Sequence, residues 1–432
     1  MHELRRVNEL TVGCRVGSTD VIIEYAMDDR FAGELVIVFP FDVSPYADVA
    51  QLLFATWGGA FLAQLCLTRR VTFNCRYSAA MWDALLPISQ NLYDVRAFRD
   101  GLDIMQAPPA RGPQQAVVPS PPSVPERRRT CLLWSGGVDS TLAVSLLDRN
   151  GYEVVPVHVS INSGATAGEL AAVSSLSRQF VLDTLSVDYR FDQYLDIAKE
   201  FSAVIDVFPE NNAVPHGREL LLVPIAYVAA SKLGCSSVTL GHENNAWTRT
   251  VSYKGHRIYR CDTQSEPANV AMQEMLRQIL GSEIRLFSPI APLSDYLKFR
   301  LLAEREVAAL SFTSACFWGN NCGLCSKCSL HYVLQRALDV RGLSFTNNPL
   351  QQSKIIHSAI FDWKNEDQTN WKEYQVALSD IVTGRPVGKD EASLLWYREN
   401  VLPKLGPRIQ VLRKRLTAVQ PVRLLPDDFR YD

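Results

Sequence analysis

The sequence predicts an α/β protein built around a parallel sheet, and three observations carry that prediction. From Thr130 onward apolar runs alternate with amphipathic stretches, a strand-like run leads through two glycines into a helix-like stretch, and a single proline-rich break divides the chain. With 432 residues, 47% hydrophobic and 21% charged, the chain is too long for one typical core and close to globular averages. That composition excludes mainly disordered, collagen-like and coiled-coil classes.

The break lies between Ala107 and Glu126, where seven of twenty residues are proline. Proline fixes φ and removes an amide donor, so residues 107–126 are expected to form an extended connector. Residues 1–106 before it read as a small α+β unit suited to binding a partner. Val21–Tyr25, Leu35–Phe39 and Val71–Cys75 alternate as strands do, and Leu52–Leu67 is apolar enough for a buried helix. That run is shorter than the ~20 residues needed to cross a bilayer. Its isolated histidine and cysteines carry no motif.

After the break, Thr130–Trp134 reads as a strand, Asp139–Asp148 as a helix and Val154–Val159 as the next strand. A helix from about Gly168 to Leu185 follows, then one from Arg218 to Leu233 and a strand at Ser237–Leu240. Residues 127–310 form the expected nucleotide unit, 311–340 a metal-binding segment, and 341–432 an aromatic-rich helical extension. Lys plus Arg number 44 and Asp plus Glu 46, a net charge of −2, so no basic field recommends nucleic acid as a partner. Met1–Arg6 is polar with no apolar stretch behind it, which predicts a cytoplasmic protein without export signal or membrane span.

Ser135-Gly136-Gly137-Val138-Asp139-Ser140-Thr141 sits where a strand meets a helix. Glycines let backbone approach an anion, and the free N–H groups of the helix start point at it. Hydroxyls of Ser135, Ser140 and Thr141 are candidate donors, Asp139 a candidate Mg²⁺ ligand, and Val159, at the end of the neighbouring strand, a candidate nucleotide contact. No lysine follows the glycines, so this is neither a Walker loop nor the G-x-G-x-x-G fingerprint. An ordinary strand–helix turn is the plainer alternative.

Ten cysteines include four within thirteen residues: Cys316, Cys322, Cys325 and Cys328, with Gly323 inside the knuckle. Four thiolates suit a closed tetrahedral Zn²⁺ site, with an iron–sulfur cluster as the alternative.

The string Ser-Gly-Gly-Val-Asp-Ser resembles the SGGxDS loop of the PP-loop ATP pyrophosphatases, a Rossmann-like, adenine nucleotide alpha hydrolase-like fold. Followed by the four cysteines, it resembles the 7-cyano-7-deazaguanine synthase family, the QueC type. Val214-Pro215-His216-Gly217-Arg218 resembles that family's VPGRN segment, and Ser288-Pro289-Ile290 its SPL segment. The resemblance covers roughly Arg127 to Leu338.

It implies a ligase that uses ATP and Mg²⁺ to adenylate the carboxylate of 7-carboxy-7-deazaguanine and then passes it to an amine, releasing AMP and pyrophosphate. It further implies that Asp139, Arg218, His242 and Glu243 serve catalysis and that Arg218, Asn244 and Asp262 meet the substrate. The sequence departs from the family in two places: the family's lysine falls at Ser294-Asp295-Tyr296, where an acid stands, and the deazaguanine loop is altered. Flanking segments absent from housekeeping members resemble the QueC-like proteins of bacterial anti-phage operons such as the Qat system. That layout implies a protein partner from the same operon, with the amine coming from ammonia or from that partner, and leaves self-association open. A tRNA thiolase using Cys261 or Cys235, and a nucleotide-sensing scaffold, are the alternatives.

Overall fold

The computed structural model describes residues 7–66, 68, 70–85, 128–161, 166–201, 219–244, 248, 250–253, 256–259, 262–281, 283–314, 316, 321–366, 370–384, 386, 388 and 391–431. The proline-rich segment 107–126 and Arg218 lie outside them.

Nine strands among these residues form one sheet: β1 (Leu10–Val16), β2 (Asp20–Met27), β3 (Phe31–Val38), β4 (Val71–Phe73), β5 (Arg128–Leu133), β6 (Tyr152–Ile161), β7 (Leu185–Arg190), β8 (Ser237–Thr239) and β11 (Arg285–Phe287). Their order is β11-β8-β5-β6-β7-β3-β2-β1-β4. The first five in that order run parallel, and β3 joins β7 antiparallel through Val36–Val38 opposite Asp188–Arg190. Stretches on either side of the proline-rich segment therefore share one sheet. The remaining pair, β9 (Thr250–Tyr253) and β10 (His256–Tyr259), makes a separate antiparallel hairpin.

β5 is buried on both faces, as a central parallel strand must be. Successive side chains point to opposite faces, so Cys131 enters one core and Leu132 the other. The first core holds α1 (Ala47–Cys66) and α5 (Glu219–Leu233) against β1, β2 and β5. α1 is apolar all round because it lies between the sheet and α5, which is where such a helix is stable. Among the described residues no helix is long and apolar enough to cross a membrane.

The second core holds α2 (Val138–Arg149), α3 (Thr166–Phe180) and the helical extension. Between α3 and α5 lies α4 (Tyr194–Phe201), and α6 (Glu266–Leu280) precedes β11. Then come α7 (Asp295–Arg305), α8 (Ser326–Ala337), α9 (Lys354–Phe361), α10 (Trp371–Gly384), α11 (Ala392–Asn400) and α12 (Leu402–Leu416).

The helix expected to run to Leu185 stops at Phe180 instead. Val181 adopts φ 54°, Ser177 and Thr184 hydroxyls meet at 2.6 Å, and Leu185-Ser186-Val187-Asp188-Tyr189-Arg190 forms β7. The alternation of that hexapeptide is a strand signal in its own right.

Phe54 on α1 is fully buried and meets Phe39 edge-on at 6.4 Å. Phe54→Ala is expected to cost about 3–5 kcal/mol through lost burial and a residual cavity. Urea denaturation checks this, with a fall in midpoint at unchanged slope.

Candidate functional site

In an open parallel sheet, ligands sit beyond the carboxyl ends of the strands where the strand order reverses. Here β5 is flanked by β6 and β8, and the loops leaving β5 and β8 meet at that point: Gly241 lies so close that a Cβ on it would stand 3.7 Å from the Ser140 amide nitrogen.

The β5–α2 loop is shaped by its glycines and by one clasp. Gly136 has φ 67°, and a Cβ there would fall 2.9 Å from Ala172 Cβ and Val173 N on α3, so no other residue fits. Ser314 N–H donates to the Gly136 carbonyl at 2.9 Å. Gly137 is the N-cap of α2 and offers no side-chain acceptor, leaving the first N–H groups of a twelve-residue helix open at an accessible loop. Ser135 is exposed, and its Oγ lies 3.3 Å from Ser140 Oγ. Thr141 is fully buried and donates to the Gly137 carbonyl at 2.7 Å, so its hydroxyl shapes the loop. Val138 and Val159 are also buried, Val159 in the core with Val157 and Val187.

Next to the loop stands a buried lysine absent from the sequence-based candidates. Lys298, 1% exposed on α7, donates to Asp139 of α2 and Glu243 of the β8 loop, and pairs with Asp295 one turn earlier at 2.8 Å. Asp295, the acid of Ser294-Asp295-Tyr296, has as its partner the lysine three residues later. Ser294 caps α7 by accepting from Leu297 N–H at 3.1 Å, which fixes the register that brings Asp295 and Lys298 onto one face. Burial pulls the Lys298 pKa down, but Asp139, Asp295 and Glu243 outweigh it and hold the ammonium well above its ordinary value. Glu243 is pushed up by burial and by Asp295, with Lys298 opposing. Asp139 and Glu243 remain 29% exposed, so this side of the cluster is open to a ligand.

Oxygens of Asp139, Glu243 and Asp295 lie within 4.8 Å of one another, a hard donor set that fits Mg²⁺.

The β8 loop is pinned from behind. Ser288 Oγ donates to the His242 carbonyl at 2.7 Å, and Asn244 Nδ2 to the Ala291 carbonyl at 3.0 Å. His242 is buried, and Asn244 anchors the loop to the 288–291 turn. Asp262 opens a short turn whose Thr263 and Gln264 donate to Glu219 at the start of α5. The backbone thereby brings Asp262 beside the start of α5, the residue after Arg218.

Residues 129–335 match the family model described as queuosine biosynthesis protein QueC. That segment is similar to the QueC family, and it is called QueC-like below. A 7-cyano-7-deazaguanine synthase from Acetivibrio thermocellus is 24% identical over 212 residues, 47% of this chain and 90% of the relative. One from Methanothrix thermoacetophila is 26% identical over 220 residues, 46% and 90%. The tRNA-specific 2-thiouridylase MnmA of Bartonella bacilliformis is 32% identical over 148 residues, but this chain spans only 36% of its length.

The QueC-like domain includes the four cysteines, whose sulfurs lie within 4.8 Å of one another. Backbone N–H groups of Cys322, Leu324, Cys325 and Cys328 point at the sulfurs of Cys316, Cys322, Cys322 and Cys325, at 3.3–3.5 Å. Amides aimed at sulfur stabilise thiolates, and four thiolates at this spacing fit tetrahedral Zn²⁺. Gly323, at φ 81°, lets the knuckle approach Asn347, whose carbonyl oxygen would lie 2.7 Å from a Cβ. Cys325 caps α8, so the knuckle leads directly into that helix, and the loop clasp at Ser314 lies two residues before Cys316 in the chain.

α8 also carries His331, a second group absent from the sequence-based candidates. Its ring packs 5.7 Å from Phe299, the residue after Lys298, and its buried Nδ1 finds no partner among the described residues. Burial lowers its pKa to about 4; Asp139 and Glu243 oppose the shift, while Lys327 and Lys298 add to it. The imidazole is therefore neutral beside the cluster.

A histidine whose folded pKa is depressed costs stability on acidification, because the unfolded chain takes up the proton first. Between pH 7 and 5 the wild-type protein is expected to lose ~2 kcal/mol more than His331→Leu, from the linkage between pKa 6.5 and about 4. Urea midpoints of both proteins at the two pH values measure it.

Proposed function

We propose that the QueC-like domain uses ATP to adenylate the carboxylate of 7-carboxy-7-deazaguanine and passes the acyl group to an amine. The observation that carries the proposal is the convergence of Asp139, Glu243, Asp295 and Lys298 beside the open N-terminus of α2. A carboxylate is a poor acyl donor because its leaving group would be oxide. Attack of its oxygen on the α-phosphorus breaks the bond to the bridging oxygen, releases pyrophosphate and leaves an acyl adenylate. Attack of the amine nitrogen on the carbonyl carbon then expels AMP and frees a proton. With ammonia the product is an amide, which a second ATP can dehydrate to the nitrile.

Each residue has a part in this reading. The α2 amides, with Ser135 and Ser140, hold phosphate oxygens. Lys298 neutralises charge that builds on the phosphates as the P–O bond breaks. Bound Mg²⁺, held by Asp139 and its neighbouring carboxylates, would draw charge from the pyrophosphate. Glu243, with its raised pKa, is the acceptor for the proton of the attacking amine. Arg218 and Asp262 bind the deazaguanine, Zn²⁺ holds the knuckle closed, and segments outside the QueC-like domain dock a protein partner that presents the amine in an anti-phage operon.

The thiouridylase relative favours a second reading, sulfur transfer to tRNA. It needs a reactive thiol, yet burial pushes Cys235 up to about 12, and Cys131 is also pushed up by burial. Cys261 lies outside the described residues.

Purified protein with ATP, Mg²⁺ and 7-carboxy-7-deazaguanine, alone or with the operon partner, is expected to release AMP and pyrophosphate. Asp139→Ala abolishes release, and Lys298→Met lowers it by roughly 10²–10³-fold. Retained turnover in either variant overturns these roles; no AMP from the wild type overturns the reaction.

A further inference from the structure

Beyond the QueC-like domain, segment 420–431 returns from the helical extension to the back of the site. Gln420 N–H donates to the Pro292 carbonyl at 2.9 Å, and Arg423 N–H to Glu266 at 3.0 Å. Asn150 and Arg430 exchange two hydrogen bonds at 2.7 and 2.9 Å. Phe429, 6% exposed, packs against Tyr152 and Phe287 with ring centroids 6.4 and 6.2 Å away. Tyr431 donates its hydroxyl to the Pro289 carbonyl at 2.7 Å, while Arg305 of α7 donates to the Tyr431 carbonyl at 2.6 Å.

Two of these contacts, from Gln420 and Tyr431, land on the turn that pins the site, and the others hold the segment beside it. Pro289 follows Ser288, whose hydroxyl holds the His242 carbonyl, and the next residue, Glu243, grips Lys298. A parallel contact reaches the lysine from the other side: the Ser294 hydroxyl that caps α7 donates to the Leu416 carbonyl at the end of α12.

We infer that segment 420–431 is a strap that positions the β8 loop, with Tyr431 as the positioning residue that acts through Pro289 and Ser288. The helical extension is thus part of the site's framework, in addition to any partner it docks. This inference does not depend on the identity of the substrate.

Tyr431→Phe removes the hydroxyl and keeps the ring in its aromatic contacts. Amide hydrogen exchange in the variant is expected to quicken roughly threefold to tenfold over 240–244 and 286–293, the factor a single lost hydrogen bond carries. Peptides over 131–147 and 326–337 should exchange as in the wild type. Unchanged exchange in the first pair, or equal acceleration in all four, overturns the strap. Where the wild type releases AMP, the variant should lower kcat while KM for ATP stays within about twofold, since the α2 loop is untouched. A raised KM with kcat retained contradicts a positioning role. If the wild type releases none, the proposed reaction falls and the exchange result still decides the strap.

Discussion

A buried ammonium ion surrounded by carboxylates from separate parts of the chain is the constraint on which the site depends. Asp139 comes from α2, Glu243 from the loop after β8 and Asp295 from the first turn of α7, and Lys298 joins them. Taking such a charge out of water is costly, and removing one partner from a buried pair commonly costs about 3–5 kcal/mol. The arrangement holds only while all three elements keep their places. Site geometry and fold stability are accordingly linked through one side chain.

Several parts of the structure serve that requirement. The β5–α2 loop sets Asp139, and Ser314 clasps the loop two residues before the first cysteine of the knuckle. The knuckle starts α8, which packs on α10 and brings a neutral His331 up to Phe299. The 288–291 turn fixes Glu243 from behind. Cysteine knuckle, glycine loop and helical extension thus bear on the same few atoms, which gives a physical reason for an extension to be packed onto the QueC-like domain.

Local chemistry was the legible part. The glycine loop is written in seven consecutive residues and the knuckle in thirteen, so strand, loop, helix and thiolate set could be read without tertiary information. Lys298 was not legible, because its role depends on the register of α7. Ser294 starts that helix, and only then do Asp295 and Lys298 fall on one face. His331 reads as one of several polar residues in a mixed helix, and nothing nearby in sequence marks Phe299 as its neighbour. The pairing of β3 with β7 joins segments some 150 residues apart across the proline-rich stretch, a contact that no local pattern reveals. Thr141 belongs to a phosphate motif by its neighbours and to the loop's own hydrogen bonding by its burial. Arg218, the strongest cation in the sequence reading, falls outside the described residues.

The most direct test of this account is a structure of the protein with Mg²⁺ and a non-hydrolysable ATP analogue. The account predicts the triphosphate at the N-terminus of α2, against the amides of Val138 to Ser140, with Lys298 and Asp139 at the phosphates and their metal. A triphosphate bound elsewhere, with those amides and the lysine untouched, would contradict it.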